Sequence, residues 1–324
     1  MFPLTTPLSV PTFVGMSALL SRLRPTASRW TAADLPSFEG RTVVVTGANS
    51  GIGLVTAREL ARVGARTVLA VRDPERGARA AATIQGTVEI AELDLADLAS
   101  VRRFAERWDG PVDVLINNAG VMAVPLGRTA DGFERQIGTN HLGHFALTNL
   151  LLDRIADRVV TVASSAHKAG RIDLDDLNWE RREFGTWSAY NQSKLANLLF
   201  TLELERRLRA AGSAVRALAA HPGYAATNLQ GHTEHGLSHR VMQLGNRLVA
   251  QSDAAGALPT LFAASQDLPG NSYVGPDGPG ELRGGPTLVG RTARASDPDV
   301  ARRLWALSEQ LTGVTAGVPE PAAA

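Results

Sequence analysis

The sequence predicts an α/β protein built on a doubly wound parallel sheet, and three observations predict it. The stretch Thr42-Val43-Val44-Val45-Thr46-Gly47, an apolar strand ending in glycine, runs through Ala48-Asn49-Ser50-Gly51-Ile52-Gly53 into an Ala/Leu-rich helix that reaches about Val63. Strand and helix patterns then alternate along the chain, as parallel sheets with crossover helices require. Finally, Ser188 to Lys194 opens a long amphipathic segment extending to about Arg209, in which Tyr190 and Lys194 are four apart and share one helix face.

Composition narrows the function classes. Lys plus Arg number 33 against 32 for Asp plus Glu in 324 residues, so no charge excess attracts nucleic acid or an acidic membrane. A small-molecule partner is expected instead. The chain has no cysteine, which removes disulfides, thiolate metal sites and thiol nucleophiles. That absence suits a reducing compartment, and a cytoplasmic location is expected.

Residues 1–37 are rich in Pro, Ser, Thr and Ala and read as a disordered arm, or as the product of a start codon placed too early, with Met16 another start. The apolar run Phe13 to Leu20 contains Gly15 and is too short to span a bilayer, so no membrane association is expected. One domain is expected over residues 38–312, with a frayed tail at 313–324.

The glycine turn after the first strand carries the first functional reading. Gly47, Gly51 and Gly53 let the backbone turn sharply and approach a pyrophosphate at the helix N-terminus. The second strand, Arg66 to Val71, ends in Arg72-Asp73, about where nicotinamide enzymes hold the adenosine ribose. Arg72 there is available to a 2′-phosphate, which favours NADP(H) over NAD(H). The alternative is that Arg72 is solvated and Asp73 caps a helix beginning at Pro74.

A third strand, Val88 to Leu95, carries Asp94 near its end, positioned to bond an adenine amine, and Asp97 reads as the N-cap of the next helix. The fourth strand leads into Asn117-Asn118-Ala119-Gly120, where asparagines can tie strand ends together and Gly120 permits close cofactor approach. Asp131 to about Ile155 reads as one long helix holding Asn140, His141 and His144; the His-x-x-His spacing is read as packing rather than metal binding. The fifth strand delivers Ser164 and Ser165 at its carboxyl end. Residues 166–187 read as a solvated loop at the mouth of a cleft. The sixth strand ends in His221-Pro222-Gly223-Tyr224, followed by Thr227, which would contact a nicotinamide amide. Thr227 to Gln251, with His232, His235 and His239, reads as a lid, and no metal is expected. Gly275 to Gly290 reads as a turn-rich segment.

Thr46 to Gly53, Asn117 to Gly120, Asn140, Ser165, Tyr190 to Lys194 and Pro222-Gly223, in this order, resemble the short-chain dehydrogenase/reductase family over about Phe38 to Ser308. Ala70 to Asp73, Asn140 to Phe145, Ser164 to His167 and Tyr190 to Asn197 are most similar to its retinol-dehydrogenase-like and WW-domain-oxidoreductase-like branch. The N-terminal arm is unlike that of the animal enzymes, and no membrane anchor is seen, so retinoid specificity does not transfer.

The resemblance implies a Rossmann fold with a sheet of about seven strands in the order 3-2-1-4-5-6-7 and helices on both faces. It implies a catalytic tetrad. Tyr190 would be general acid/base, Ser165 would orient the substrate oxygen, Lys194 would bind the nicotinamide ribose and depress the Tyr190 pKa, and Asn140 would hold a relay water. The cofactor would lie against Gly47, Asn49, Ser50, Gly51, Ile52, Gly53, Arg72, Asp94, Leu95, Asn118, Ala119, Gly120, Tyr190, Lys194, Pro222, Gly223 and Thr227. A dimer or tetramer formed through the helices of Asn140 and Tyr190 is expected on the same ground. The function implied is NADPH-dependent reduction of a lipophilic ketone or aldehyde. A non-catalytic NADP sensor is the alternative on the same fold. A serine hydrolase is disfavoured, because the serine of Gly47-Ala48-Asn49-Ser50-Gly51 does not fit a Gly-x-Ser-x-Gly elbow.

Overall fold

The computed structural model describes residues 30–224, 251–315 and 317. Its centre is a single sheet in the order β3-β2-β1-β4-β5-β6-β7-β8. The strands are β1 (Thr42–Thr46), β2 (Arg66–Val71), β3 (Val88–Glu92), β4 (Val112–Asn117), β5 (Ile155–Val162), β6 (Arg216–Ala220), β7 (Tyr273–Pro276) and β8 (Pro286–Leu288). All neighbours pair in parallel except β7 and β8. The sheet therefore has eight strands rather than about seven. The extra one is an antiparallel edge within the segment read as turns, its three residues too few to show a periodic pattern.

The central strands are apolar on both faces because helices cover both faces. Val44, Val68, Leu115, Val159 and Ala217 belong to one buried cluster, which is closed by α3 (Leu98–Arg107), α5 (Gly143–Leu151), α6 (Thr186–Ala210) and α8 (Pro298–Thr312). Their sequence neighbours Val45, Leu69, Val114, Ile116, Val160 and Leu218 face the other way, under α1 (Gly51–Arg62), α2 (Pro74–Ala81) and α7 (Asp253–Ser265). This alternation is the two-residue period of a strand. Each such side chain contributes about 1.5–3 kcal/mol when fully buried. The carboxyl ends of the strands are thereby fixed as a rigid platform.

Two local expectations change. The stretch from Asp131 to Ile155 is not one helix. A short α4 (Arg135–Ile137), capped by the Glu134 carboxylate accepting from the amides of Gln136 and Ile137, passes into a π-turn at Gly138–Leu142 and then α5. Gly143 lets α5 approach the carbonyl of Leu95, a space that any Cβ would fill. The 166–187 loop is folded rather than merely solvated. Leu177 and Trp179 are buried, Arg182 stacks 3.7 Å over the Trp179 ring, and Gln192 of α6 donates to the carbonyl of Leu177. Ahead of β1, Trp30 lies edge-on to Phe262 at 5.3 Å and Leu35 is buried. After the last helix, Val314 packs into the first cluster. Asp73 and Asp97 cap α2 and α3 through the amides of Arg76 and Ala99.

Candidate active site

Helix α6 places Tyr190 and Lys194 one turn apart, facing the carboxyl end of β5. Both are buried, at 7% and 5% exposure. Lys194 Nζ donates to the carbonyl of Val162 at 3.0 Å and lies 5.9 Å from the centre of the Tyr190 ring. Burial pulls the Lys194 ammonium down to about 8. Burial pushes the Tyr190 phenol up, and a hydrogen bond with the Ser164 side chain partly offsets this. The hydrogen bond that eases phenol ionisation in this structure comes from Ser164, while Lys194 Nζ is directed at a backbone carbonyl.

The serines sit where the sheet ends. Ser164 accepts from the amide of Ala166 and so caps the 3-10 turn that Ser165 opens (Ser165–Ala169). Both serines are half-buried. Ser165 therefore stands beside the phenol's contact rather than at it.

Asn140 lies in the π-turn with its amide fully engaged. Its Oδ1 accepts from the Val121 amide at 2.8 Å, and its Nδ2 donates to the Val121 carbonyl and to Ser193 Oγ, each at 2.9 Å. A Cβ on Gly120 would lie 3.1 Å from Asn140 Oδ1 and 3.5 Å from Lys194 Nζ, so these two groups meet over a glycine. Glycine at 120 keeps that space open. His141 and His144 point apart, His141 to Ser308 and His144 to Thr46. Burial drives their pKa values down to about 3 and about 4. Among the described residues no cluster of three metal-ligating side chains occurs.

At Gly47 and Gly53 the glycine turn is built from contacts that leave no room for side chains. Gly47 has φ +66, and a Cβ there would meet that of Ala119 at 2.9 Å. A Cβ on Gly53 would lie 2.7 Å from the carbonyl of Gly47. Thr46 Oγ accepts from the amides of Asn118 and Ala119, and Asn118 Nδ2 donates back to the carbonyl of Thr46. The two turns, 47–53 and 118–120, are thus one unit. Asn49 and Ser50 line it on the open side, and Ser50 makes no side-chain cap on α1, so the first-turn amides of that helix face outward. This geometry fits a pyrophosphate.

At the ribose position the alternative reading of Asp73 holds. Its carboxylate is committed to the amide of Arg76, while Arg72 is exposed and, among the described residues, makes no hydrogen bond or ion pair. Asp94 accepts from the amide of Ala96, and Leu95 is buried against α5. On the far side, Gly223 has φ +71 and is enclosed by the Leu282 carbonyl, Gln251 Nε2 and Pro276. Gln251 Nε2 donates to the carbonyls of Pro222 and Leu282. Thr227 and the histidines at 232, 235 and 239 lie outside the described residues.

Sequence reading gave no role of their own to Thr46, Ser193 or Trp187, and named Ser164 only beside Ser165. Trp187 precedes Tyr190 by one helical turn, stands edge-on to its ring at 6.1 Å and is 59% exposed. The i,i+3 spacing was the available signal.

Comparison with known proteins agrees with this geometry. The family model described as short chain dehydrogenase matches residues 41–237. Retinol dehydrogenase 13 of Homo sapiens is 46% identical over 296 residues, covering 86% of this chain and 87% of its own length. A crystal structure of an uncharacterised protein from Mycobacterium paratuberculosis is 60% identical, with a TM-score of 0.79 over 90% of this chain and 100% of that chain. An NAD(P)-dependent gluconate 5-dehydrogenase from Beutenbergia cavernae, solved with NADP, is 28% identical with a TM-score of 0.53, covering 71% of this chain and 91% of its own. The chain belongs to the short-chain dehydrogenase family, in its retinol-dehydrogenase-like group, and is an oxidoreductase of that family.

Proposed function

We propose that the protein is an NADP(H)-dependent oxidoreductase that interconverts a carbonyl and an alcohol, working as a reductase of lipophilic ketones or aldehydes. The observation that carries this reading is the buried pair Tyr190 and Lys194 on one face of α6, opposite the serines that end β5. A bound nicotinamide would supply or accept the hydride. Tyr190 gives its phenolic proton to the carbonyl oxygen in reduction and recovers it from the alcohol in oxidation. Ser164, whose side chain contacts the phenol, orients that oxygen in this reading, with Ser165 beside it. Lys194 supplies positive charge, which favours the phenolate left after proton transfer.

Arg72, exposed just past the carboxyl end of β2, favours NADP(H), because it offers a planar cation to a 2′-phosphate. The exposed ring of Trp187, edge-on to Tyr190, favours an apolar substrate. Among the described residues no helix is long and apolar enough to cross a membrane. A cytoplasmic homo-oligomer, dimer or tetramer, accompanies this reading on the family resemblance and the cysteine-free composition.

The test is a titration with NADPH and NADH followed by nicotinamide fluorescence, then addition of a panel of ketones and aldehydes. Tighter binding of NADPH and its oxidation by an apolar carbonyl compound are expected. Binding without turnover across the panel would sink the catalytic reading, and a preference for NADH would sink the cofactor assignment.

A further inference from the structure

We propose that His144 is a positioning residue: a neutral imidazole carrying its proton on Nδ1, which ties the turn around Thr46, Asn118 and Ala119 to the backbone carbonyl of Asn140. The tautomer follows from counting donors around Thr46. A hydroxyl has one proton and two lone pairs. The amides of Asn118 and Ala119, each 2.9 Å from Thr46 Oγ, take the lone pairs, that of Asn118 being shared with the Ile116 carbonyl at 3.0 Å. The proton is left to choose between His144 Nε2 at 2.9 Å and the carbonyl of Ile116 at 3.4 Å. The shorter, better acceptor is the imidazole nitrogen. Nε2 therefore accepts, the ring proton resides on Nδ1, and Nδ1 donates to the Asn140 carbonyl at 3.1 Å. Complete burial holds the ring neutral, since desolvation lowers its pKa to about 4.

The consequence lies at Asn140. Its side-chain amide is held by Val121 and Ser193, and its backbone carbonyl is held by the His144 ring. That carbonyl belongs to the π-turn. The same ring is anchored to the turn that we assign to the cofactor, so His144 ties the pyrophosphate turn to the π-turn that carries Asn140. This inference rests on the function proposed above for Tyr190 and Lys194.

Two substitutions divide the roles of the ring. In His144→Gln the side-chain oxygen reaches the place of Nε2 and keeps the Thr46 contact, but no donor remains for the Asn140 carbonyl. In His144→Asn the amide nitrogen reaches the place of Nδ1 and keeps that donor, but the Thr46 contact is lost. We expect the Gln variant to lose kcat by about three- to tenfold more than the Asn variant, and the Asn variant to lose NADPH affinity by a similar factor more than the Gln variant. Parallel losses in both constants, or the opposite split, would overturn the proposal. Nitrogen-15 NMR of the intact wild-type protein at pH 6–8 provides a reading independent of turnover. An Nδ1–H tautomer at His144 supports the proposal and an Nε2–H tautomer overturns it. If the wild type reduces no carbonyl compound, the hydride-transfer reading fails, while the NMR and cofactor-affinity measurements still decide the role of His144.

Discussion

Lys194 Nζ donates to the carbonyl of Val162, 3.0 Å away, so the charge on α6 is anchored to the last residue of the strand that delivers the serines. A buried ammonium held by one neutral carbonyl is costly for the fold. The fall of its pKa from 10.5 to about 8 corresponds to about 3 kcal/mol of lost stability while it is charged. The unfolded chain binds the proton more tightly than the folded one between pH 8 and 10.5, so wild-type stability rises with pH across that window. Lys194→Met should therefore raise Tm at pH 7 while abolishing turnover, and its advantage should vanish above pH 10.5. A Tm that falls at pH 7 would show that the carbonyl contact outweighs the buried charge.

Tyr190→Phe removes the proton donor and little volume. We expect turnover to fall by roughly 10² or more with NADPH binding retained. Stopped-flow and equilibrium fluorescence on the same preparation separate the two effects, and near-normal turnover would exclude Tyr190 as the acid.

Arg72→Leu should weaken NADPH by roughly tenfold and leave NADH almost unchanged, because only the phosphorylated cofactor loses a charge-assisted contact. Asp73→Ala should act on the fold instead. It should cost about 1 kcal/mol of stability through the lost cap on α2 and leave the NADPH/NADH ratio near wild type. A changed ratio in the Asp73 variant would place the ribose on the carboxylate.

Trp187→Ala should raise KM for a long apolar carbonyl substrate by about tenfold, as expected for losing about 1.4 kcal/mol of apolar contact, with little change for a short one. Equal changes for both would mean that the ring supports Tyr190 rather than the substrate.

The parts of the fold that were legible in the sequence are those governed by short-range rules. The β1 strand, its glycine turn and α1 could be read directly, as could the Asp73 and Asp97 caps and the shared face of Tyr190 and Lys194, because each depends on neighbours within a few positions. What escaped depends on partners far along the chain. β8 exists because Pro286 to Leu288 can pair with β7, and the folding of 166–187 depends on Leu177 and Trp179 meeting α6 from within a charged stretch. The break at Asn140 is of the same kind. The sequence around it is helix-permissive, and the π-turn coincides with ties to Val121, Ser193 and, through His144, Thr46. Ser164 rather than Ser165 contacting the phenol could not be read from two adjacent serines, since their directions are set by the turn after β5.

The amide of Gln251 donates to the carbonyl of Tyr224 at 2.8 Å, and the amide of Tyr224 donates to the carbonyl of Leu282, so two residues far apart in the sequence are clasped together beside the turn ahead of β8. A clasp made of main-chain groups does not depend on which side chains stand at its ends. Sequence can drift at such positions while the knot in the backbone stays tied.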